Sequence, residues 1–507
     1  MELPLPTIFF YCAFSSFLFM VLKYCKKLIS ETQKLPPHPW KLPLIGNLHQ
    51  LAGSLPHHSL SNLAQKYGPV MHLQLGEVST LVISSSEAAK EIMKTHDVTF
   101  ADRPKLLSPE ILTYGCTDIA FAPYGEYWRQ LRKICTLELL STRRVQSFRS
   151  VREEGVYDLV DYIRSSQGLF PINLTKKIFS LTNDVVCKTA LGMKFNDQEK
   201  LLLALQEATE LVGGFALPDM FPSLKFLHSI NGVKPTLMKA HQSVDRILHD
   251  IVVHHQLKRE TTKEHKDAGV DQEDLVDVLL RLQNSGDLSF PITVNNIKAV
   301  LQDIFIAGTE TSSSTVEWAM TELMRNPRVM MKTQVEVRKL MKGKSKINES
   351  NIEELSYLKA VIKETLRLHP PIPLLLPREA RENVKIFGYD IPKKTRVIVN
   401  SWAIMRDPDH WKDPEEFKPE RFESNESYGD MKGTDFRYIP FGAGRRMCPG
   451  LTFGNASVEL PLAALLYHFD WSLADGFKPE DINMEETFGA SARKKENLSL
   501  IAQSFLP

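Results

Sequence analysis

The feature that most constrains this chain is a loop, residues 440–450, with the sequence PFGAGRRMCPG. Pro449 directly follows the only cysteine of the loop and suits the first turn of a helix, and the apolar spacing of residues 451–467 predicts that this helix continues. Cys448 is therefore expected at a helix N-terminus beside two arginines, a positive environment that favours thiolate over thiol. The glycines of the loop would let a flat ligand approach the sulfur closely.

The cysteines of the chain indicate a single functional sulfur rather than a cross-linked scaffold. The six cysteines are widely separated and no CxxC pair occurs, which excludes a disulfide framework and a zinc ribbon. A dinucleotide-binding loop is excluded as well, because Met447 stands where the third glycine would be required. A functional cysteine must therefore act alone.

The composition is that of a globular protein without a preference for nucleic acid. Hydrophobic residues make up 43% of the 507 residues and charged residues 24%, which argues against long disordered stretches. Lys plus Arg total 62 against 61 for Asp plus Glu, so no overall positive charge would attract nucleic acid. Length alone suggests about three domains, but no linker, repeat or low-complexity tract divides the chain.

The N-terminus carries the pattern of a membrane anchor. Residues 3–22 are almost entirely apolar or small and basic residues follow at once, a span just long enough to cross a bilayer. A cleaved signal peptide carries its basic residues before the apolar run, so this order predicts an uncleaved anchor over residues 1–23 with the rest of the chain in the cytosol. Residues 24–50 read as a basic, proline-rich hinge, because four prolines within 36–43 forbid a continuing helix.

Hydrophobic periodicity predicts a mainly α fold with small β-sheets (α+β). The longest helical pattern runs from Val294 to Arg325 and ends before Pro327, with apolar residues at helical spacing. Short alternating runs at 70–75 and 80–84 are typical of strands that flank a turn at Gly76. Helix therefore predominates in the predicted globule.

A second motif, AGTETS at residues 307–312, lies within the long helix. Gly308 in a helix interior costs about 1 kcal/mol relative to alanine, and the Thr311 hydroxyl can bond to the carbonyl one turn earlier. The motif predicts a local widening of the helix that would make room for a small molecule. Standing alone, such a motif is more often an ordinary Ser/Thr-rich patch of a helix.

Two further patterns place polar groups where they could pair or bind an anion. Glu364 and Arg367 stand three residues apart on one helical face, and Arg421 supplies a second arginine further along the chain. Trp128 and Arg132 stand one helical turn apart, and both side chains can donate hydrogen bonds to a carboxylate. Each pattern also occurs in ordinary helices, so neither identifies a function by itself.

The loop around Cys448 resembles the haem-binding loop of the cytochrome P450s, Phe-x-x-Gly-x-Arg-x-Cys-x-Gly, at every fixed position. The resemblance extends from the proline-rich hinge to the end of the chain and implies the cytochrome P450 fold, with residues 51–507 as one haem-binding catalytic domain. It implies that Cys448 is the axial thiolate ligand of haem b, whose electron donation favours O–O cleavage. The residues that it places around the haem are Trp128, Arg132, Arg378, Phe441, Gly442, Arg446, Gly450 and Arg103.

The same resemblance assigns roles to the polar motifs. Glu310 and Thr311 match the acid–alcohol pair that delivers protons for the activation of dioxygen. Glu364, Arg367 and Arg421 match a buried structural triad beneath the haem. The tryptophan and arginines named above match the groups that bind the two haem propionates.

The chain is expected to receive its electrons from another protein. Neither GxGxxG after a strand nor GxxxxGK[ST] occurs in it, so no site for NADPH is indicated. The resemblance implies NADPH–cytochrome P450 reductase as the partner, on the endoplasmic reticulum membrane, with a single-pass anchor and a cytosolic catalytic domain. Arg129 and Lys133 could form part of the docking face for the reductase, or they could be solvated surface charges.

Segments at 100–104, 127–133 and 368–371 resemble the plant A-type enzymes of family 71, subfamily D or a close neighbour. The side chains expected to line the substrate pocket are mainly apolar, which suits a bulky apolar ligand. The resemblance thus implies insertion of one oxygen atom from O2 into an apolar plant metabolite, with a sesqui- or diterpenoid as the first expectation and an alkaloid, phenolic or flavonoid as the alternative. The expected pocket residues are Ile304, Ala307, Ile372, Leu376 and Phe488.

Three other functions were weighed against oxygenation. A haem-thiolate isomerase or dehydratase would need neither the Glu310–Thr311 pair nor a reductase. A non-enzymatic haem sensor would need no open groove at Gly308. A zinc-dependent or acid–base hydrolase would need an HExxH or nucleophile motif, and the sequence contains none.

Overall fold

The structure, a computed structural model, describes residues 14–15, 33–166, 170–193, 200, 204, 217–224, 232–264, 273–285, 288–344, 346–423, 429–474, 476–487, 489 and 491–505. The predicted anchor, residues 1–23, lies outside these residues apart from 14–15. Among the helices of the described ranges, none combines the length and the apolar character needed to cross a bilayer.

Helices make up most of the described chain, as predicted. Short π-helical segments follow α2 at Glu91–Thr95 and α4 at Thr136–Leu140. The α-helices are α1 Pro56–Tyr67, α2 Ser86–Lys90, α3 Leu107–Leu112, α4 Glu126–Cys135, α5 Thr142–Ser147, α6 Arg149–Ser165, α7 Leu174–Leu191, α8 Leu217–Met220, α9 Val233–Glu264, α10 Leu275–Ser285, α11 Val294–Arg325, α12 Pro327–Leu340, α13 Glu349–Ile352, α14 Ser356–Leu368, α15 Ser401–Ile404 and α16 Leu451–His468.

The strands are few and short and form small sheets. The largest sheet has the order β1-β2-β7-β4, with β2 and β7 parallel and the other pairs antiparallel. The strands are β1 Val70–Leu75, β2 Val78–Ile83, β3 Ile172–Asn173, β4 Arg378–Glu379, β5 Val384–Ile386, β6 Tyr389–Ile391, β7 Arg396–Val399, β8 Phe469–Ser472, β9 Glu486–Thr487, β10 Arg493–Lys494 and β11 Ser499–Ser504.

Helix α11 is the central element, and its ends lie where the sequence predicts them. Thr293 and Asn296 form a reciprocal capping box that satisfies N–H groups at its N-terminus. At the other end Pro327 begins the next helix, because proline suits a first turn but cannot continue a helix. Helix α11 packs against α7 and α16, so one of its faces lies beside the cysteine loop that precedes α16.

Two features of the strands position the site. The β1–β2 turn contains Gly76 at φ +62°, a conformation that glycine adopts without strain. Strands β9 and β10 pair antiparallel, with Glu486 opposite Lys494 and Thr487 opposite Arg493. This pair, residues 486–494, is called the C-terminal hairpin below, and it lies against α11.

The second half of the predicted hinge runs along the globule. The backbone N–H of His72 donates to the Pro37 carbonyl at 2.9 Å. Asn47 and Gln74 exchange hydrogen bonds, N–H to carbonyl at 2.6 Å and N–H to side-chain oxygen at 2.8 Å. These bonds tie the segment to strand β1.

Candidate active site

The cysteine loop is held in shape by backbone contacts that do not involve the sulfur. The Cys448 N–H donates to the Phe441 carbonyl at 3.0 Å, and Gly442 takes φ +68°. Cys448 is itself exposed, and a Cβ placed on Gly450 would lie 3.7 Å from its Sγ. The loop therefore presents an accessible sulfur beside a residue that has no side chain.

The electrostatic environment of Cys448 differs from the predicted one. Although the sulfur is accessible, the dense protein around it desolvates the thiolate and raises the pKa of the Cys448 thiol, and this effect outweighs the Gly450 N–H and the Arg132 guanidinium, which both lower it. Arg445 does not face the sulfur, since its backbone and side chain turn towards Asp97. Desolvation of a thiolate by the surrounding protein thus exceeds the help from the helix terminus. The prediction that the protein alone favours thiolate was wrong.

Four arginines that the sequence placed around the cofactor gather beside the loop. The pKa of the Arg103 guanidinium is lowered by burial and by the charges of Arg446, Arg378 and Arg132. Burial and two of the same neighbours lower the pKa of Arg446 to about 10. Mutual repulsion within a buried cluster means that the cluster stabilises an anion more readily than another cation.

The hydrogen bonds of this cluster fix each guanidinium. Arg103 donates to the carbonyls of Ala120, Leu376 and Pro377 at 2.7–2.9 Å. Arg132 donates to Met447 O at 2.6 Å, and Arg378 donates to Ala443 O at 2.8 Å and to Asp97 at 3.2 Å. Arg446 donates to Ala101 O and Ala122 O at 2.7 and 2.6 Å.

One buried donor of the cluster has no partner among the residues that the structure describes. The Nη1 of Arg446 is buried and makes no hydrogen bond to the described residues, whereas the indole N–H of Trp128 donates to the Ile119 carbonyl at 2.9 Å. Arg446 also lies over the Trp128 ring at 4.2 Å. An unsatisfied buried guanidinium N–H among four cations suits a carboxylate, so these residues fit the two propionates of a haem.

Helix α11 presents one accessible face towards the same region. Asp303, Ala307 and Thr311 follow each other at intervals of four residues and are all partly or fully exposed within an otherwise mostly buried helix. The Thr311 hydroxyl donates to the Ala307 carbonyl at 2.6 Å, one turn earlier. Small and hydroxyl-bearing side chains thus line a groove along this face.

Gly308 serves a different purpose from the one predicted. Helix α11 is an unbroken α-helix through Gly308, so the predicted local widening was wrong. A Cβ at this position would lie 2.8 Å from Val186 Cγ2 in α7 and 3.7 Å from Phe453 in α16. The glycine is therefore required for close packing of three helices. Because Gly308 does not open a groove in the helix, it is no longer an argument against a non-enzymatic haem sensor.

The structure reveals a partner of Glu310 that the sequence did not suggest. The Glu310 carboxylate is nearly buried, and Arg493 Nε from the C-terminal hairpin lies 3.1 Å from its Oε1. The two residues are far apart in sequence, and nothing in the local pattern around Arg493 points to such a contact. This ion pair links the predicted proton-delivery acid to another part of the fold.

The three residues of the predicted triad meet in the interior. Arg367 donates to both Glu364 oxygens at 2.8 and 2.9 Å, and Arg421 Nε donates to Glu364 Oε1 at 3.0 Å. Glu364 and Arg367 are completely buried. The backbone N–H of Lys418 adds a further bond to Glu364 at 2.9 Å, which completes the set of donors around the carboxylate.

The predicted pocket residues of the described chain are accessible in part. Ala307 is exposed, and Ile304, Ile372 and Leu376 are half-buried. Phe488, the fifth predicted lining residue, lies outside the described residues. The three half-buried side chains are apolar, as an apolar ligand requires.

Asp118, which is buried, and Asp303, which is partly buried, form a carboxyl pair that sequence reasoning missed. Asp303 Oδ2 accepts the N–H groups of Ile119 and Ala120 at 2.7 and 3.1 Å, and Asp118 Oδ2 accepts that of Phe121 at 3.1 Å. Asp118 Oδ1 is buried without a donor among the described residues. Burial, followed by the charge of Asp118, raises the pKa of Asp303 well above its usual range. A proton shared between the carboxyl groups would satisfy both of them.

This pair predicts how stability depends on pH. A carboxyl whose pKa is raised by folding holds a proton that the unfolded chain has already released, so the free energy of unfolding falls as the pH rises above about 4. Asp118→Asn supplies an amide donor that does not titrate, so we expect the free energy of unfolding of this variant to fall less steeply with rising pH. The slopes of the variant and the unchanged protein should differ by at most about 1.4 kcal/mol per pH unit, the limit for one proton. Urea denaturation at several pH values measures it.

The exposed Asp161 provides the control for this prediction, because Asp161→Asn removes a carboxylate whose side chain is 71% exposed. Its unfolding profile should run parallel to that of the unchanged protein. Parallel profiles for Asp118→Asn would show that the pair does not share a proton.

Comparisons with known proteins agree with the site and the fold. The family model described as Cytochrome P450 matches residues 36–501. The chain is 53% identical to premnaspirodiene oxygenase of Hyoscyamus muticus over 97% of each chain, and 55% identical to cytochrome P450 71D8 of Glycine max over 96% of each. It is 54% identical to desmethyl-deoxy-podophyllotoxin synthase of Sinopodophyllum hexandrum, over 96% of this chain and 94% of that one.

The fold also has counterparts among solved structures. A zebrafish cytochrome P450 solved with progesterone superimposes with a TM-score of 0.75 at 25% identity, over 89% of this chain and 100% of the other. The predicted fold class, mainly helical with small sheets, is thereby confirmed. With a matching family and relatives above 50% identity along nearly its whole length, the chain belongs to the cytochrome P450 family, as a member of plant family 71 and a monooxygenase.

Proposed function

We propose that this protein hydroxylates an apolar terpenoid, a sesqui- or diterpenoid, by inserting one oxygen atom from O2. The observation that carries the proposal is the accessible sulfur of Cys448 beside the α11 groove, with apolar side chains at its margin. Relatives named for terpenoid oxidation, among them premnaspirodiene oxygenase, support the substrate class.

The overall reaction consumes one substrate molecule, one O2, one NADPH and one proton, and yields the alcohol, water and NADP⁺. Haem b, bound through Cys448, supplies the activation of dioxygen. Arg103, Arg132, Arg378 and Arg446 would hold the propionates, and Trp128 would support Arg132 and Arg446 through its ring, 5.3 and 4.2 Å away. Phe441, Gly442 and Gly450 would shape the loop around the sulfur.

Protons reach the reaction through residues of α11. The Glu310 carboxyl would exchange protons with water, and the Thr311 hydroxyl would pass them into the groove. The Thr311 hydroxyl keeps its place through its bond to the Ala307 carbonyl. Ile304, Ala307, Ile372, Leu376 and Phe488 would enclose the substrate and exclude bulk water.

The cellular setting follows from the N-terminal pattern. Residues 1–23 would anchor the chain in the endoplasmic reticulum membrane, residues 24–50 would act as the hinge and residues 51–507 as the cytosolic catalytic domain. NADPH–cytochrome P450 reductase would deliver the electrons. An anchored pair of proteins meets in two dimensions, which favours encounter.

The experiment that tests the substrate class is co-expression with a plant reductase in microsomes. Sesquiterpenes, diterpenes, indole alkaloids and flavonoids are supplied with NADPH, and mass spectrometry detects the addition of one oxygen atom. We expect a hydroxylated terpenoid. Product from alkaloid or phenolic feeds alone would overturn the substrate class while leaving oxygenation intact.

The alternative is hydroxylation of an alkaloid or of a phenolic or flavonoid substrate. It is kept because the relative named desmethyl-deoxy-podophyllotoxin synthase is as similar to this chain as premnaspirodiene oxygenase and is not among the relatives named for terpenoid oxidation. The alkaloid and flavonoid arms of the same experiment decide between the two classes.

A further inference from the structure

Charged side chains of the C-terminal hairpin face helix α11 at three successive levels. At the first level, Arg493 Nε lies 3.1 Å from Glu310 Oε1. At the second level, Lys494 and Glu317 are both buried and influence each other through their charges, while the Lys494 ammonium donates to the Glu496 carbonyl at 2.9 Å. The Glu317 carboxylate also accepts a hydrogen bond from Thr175. We call the three levels together the ionic seam.

The third level of the ionic seam runs through a histidine. Glu322 Oε1 of α11 lies 2.7 Å from His369 Nε2, and His369 Nδ1 lies 3.7 Å from Glu486 Oε1 in the hairpin. Glu486 Oε2 also lies 2.9 Å from His57 Nε2. The Trp318 ring stacks on His369 at 3.9 Å. Both strands of the hairpin are therefore held by charge against one helix.

Of the three levels, the first reaches the α11 groove. Glu310 precedes Thr311, whereas Glu317 and Glu322 lie about two and three turns further along the helix. The side chain of Arg493 is 22% exposed and that of Glu310 is 10% exposed. Both side chains are thus partly accessible, and the arginine comes from the hairpin that also contains Phe488, an expected contact of the substrate.

We propose that Arg493 is a positioning residue for the oxygenation reaction, in that its guanidinium holds the Glu310 carboxylate in the orientation that supplies protons to the groove. The proposal rests on the proposed role of Glu310. The supply of protons would then depend on how the C-terminal hairpin is positioned against α11, because the arginine belongs to strand β10. A substrate that presses on the hairpin turn thereby influences how protons reach Thr311. Each proton that leaves the Glu310 carboxyl is replaced by one from water on the accessible side of Arg493.

The test compares Arg493→Gln with Lys494→Gln in the full-length protein with its reductase and an accepted substrate. Both variants remove one positive charge from the same strand and one level of the ionic seam, but only the first removes the partner of Glu310. Product formed per NADPH consumed is measured, together with hydrogen peroxide, and hydrogen–deuterium exchange of residues 485–495 reports how firmly the hairpin is held. Glu310→Gln and the double variant Glu310→Gln/Arg493→Gln complete the cycle.

We expect Arg493→Gln to lower the product per NADPH by roughly tenfold, less than the loss of a general acid itself can cause. Lys494→Gln should raise the hydrogen–deuterium exchange of the hairpin by about the same factor as Arg493→Gln does. Its product per NADPH should nevertheless stay within about twofold of that of the unchanged protein. The double variant should form as much product per NADPH as Glu310→Gln alone. Arg493→Lys, which restores the charge, should recover most of the yield, and Thr311→Ala gives the reference level of uncoupling.

Four results would overturn the inference. Equal losses in Arg493→Gln and Lys494→Gln would assign the effect to general loosening of the hairpin. Additive losses in the double variant would show that Arg493 acts on something other than Glu310. An unchanged yield in Arg493→Gln, with Glu310→Gln impaired, would overturn the role of Arg493 and leave that of Glu310 intact. An unchanged yield in Glu310→Gln would overturn the proposed role of Glu310 and, with it, this inference.

Discussion

Cys448→Ala is expected to abolish monooxygenation completely while the protein still folds. The backbone N–H of this residue donates to the Phe441 carbonyl, and alanine keeps that bond. The sulfur is exposed rather than packed in the core, so its removal leaves no large cavity. The effect should therefore be confined to the ligand of the iron.

The measurement is the absorption spectrum of the reduced, carbon monoxide-treated protein, together with product formation. The unchanged protein should show the long-wavelength band of a thiolate-ligated haem, and Cys448→Ala should not. Cys187→Ala, at a buried cysteine in α7, is the matched control and should keep the band. A thiolate band in Cys448→Ala would refute the assignment of the ligand.

Glu364→Ala is expected to destabilise the fold by about 3–5 kcal/mol, because it leaves the buried Arg367 and the mostly buried Arg421 without their carboxylate. Arg367 is completely buried and donates two bonds to Glu364, and Arg421 donates a third. Total stabilities of domains are about 5–15 kcal/mol, so a loss of this size should sharply reduce the yield of folded, haem-containing protein. Urea denaturation and the yield of carbon monoxide-reactive protein measure it.

A surface ion pair of similar geometry provides the control. Arg328 and Glu420 lie 2.7 Å apart, but the arginine side chain is 68% exposed. Arg328→Ala should therefore cost about 0–1 kcal/mol. If the two variants lost the same stability, burial would not be what makes the triad important.

The sequence predicted best those features that depend on neighbouring residues. The bounds of α11 were predicted correctly, because its capping box and the proline that follows are local signals. The strands β1 and β2 were located to within two residues for the same reason. The triad could be proposed only through resemblance, since Glu364 and Arg421 are joined by tertiary structure.

Features that depend on packing between distant segments escaped prediction. The close approach of Val186 explains Gly308, but no pattern near Gly308 indicates it. The Asp118–Asp303 pair and the Glu310–Arg493 contact join residues more than 180 positions apart in each case. The pKa of Cys448 was mispredicted because helix termini and adjacent arginines can be read from sequence, whereas desolvation cannot.

The ionic seam has a consequence for the exchange of parts between related enzymes. Because the flanking strands of the C-terminal hairpin are held at Glu486, Arg493 and Lys494, the residues between them in the sequence, 488–492, can be replaced without moving the anchoring points. Grafting only this segment from a relative should alter which compounds are accepted and preserve the efficiency with which electrons are used. Grafts that also replace residues 493–494 should change both the compounds accepted and the efficiency of electron use. The ionic seam therefore marks where a segment that determines substrate specificity can be exchanged without loss of coupling.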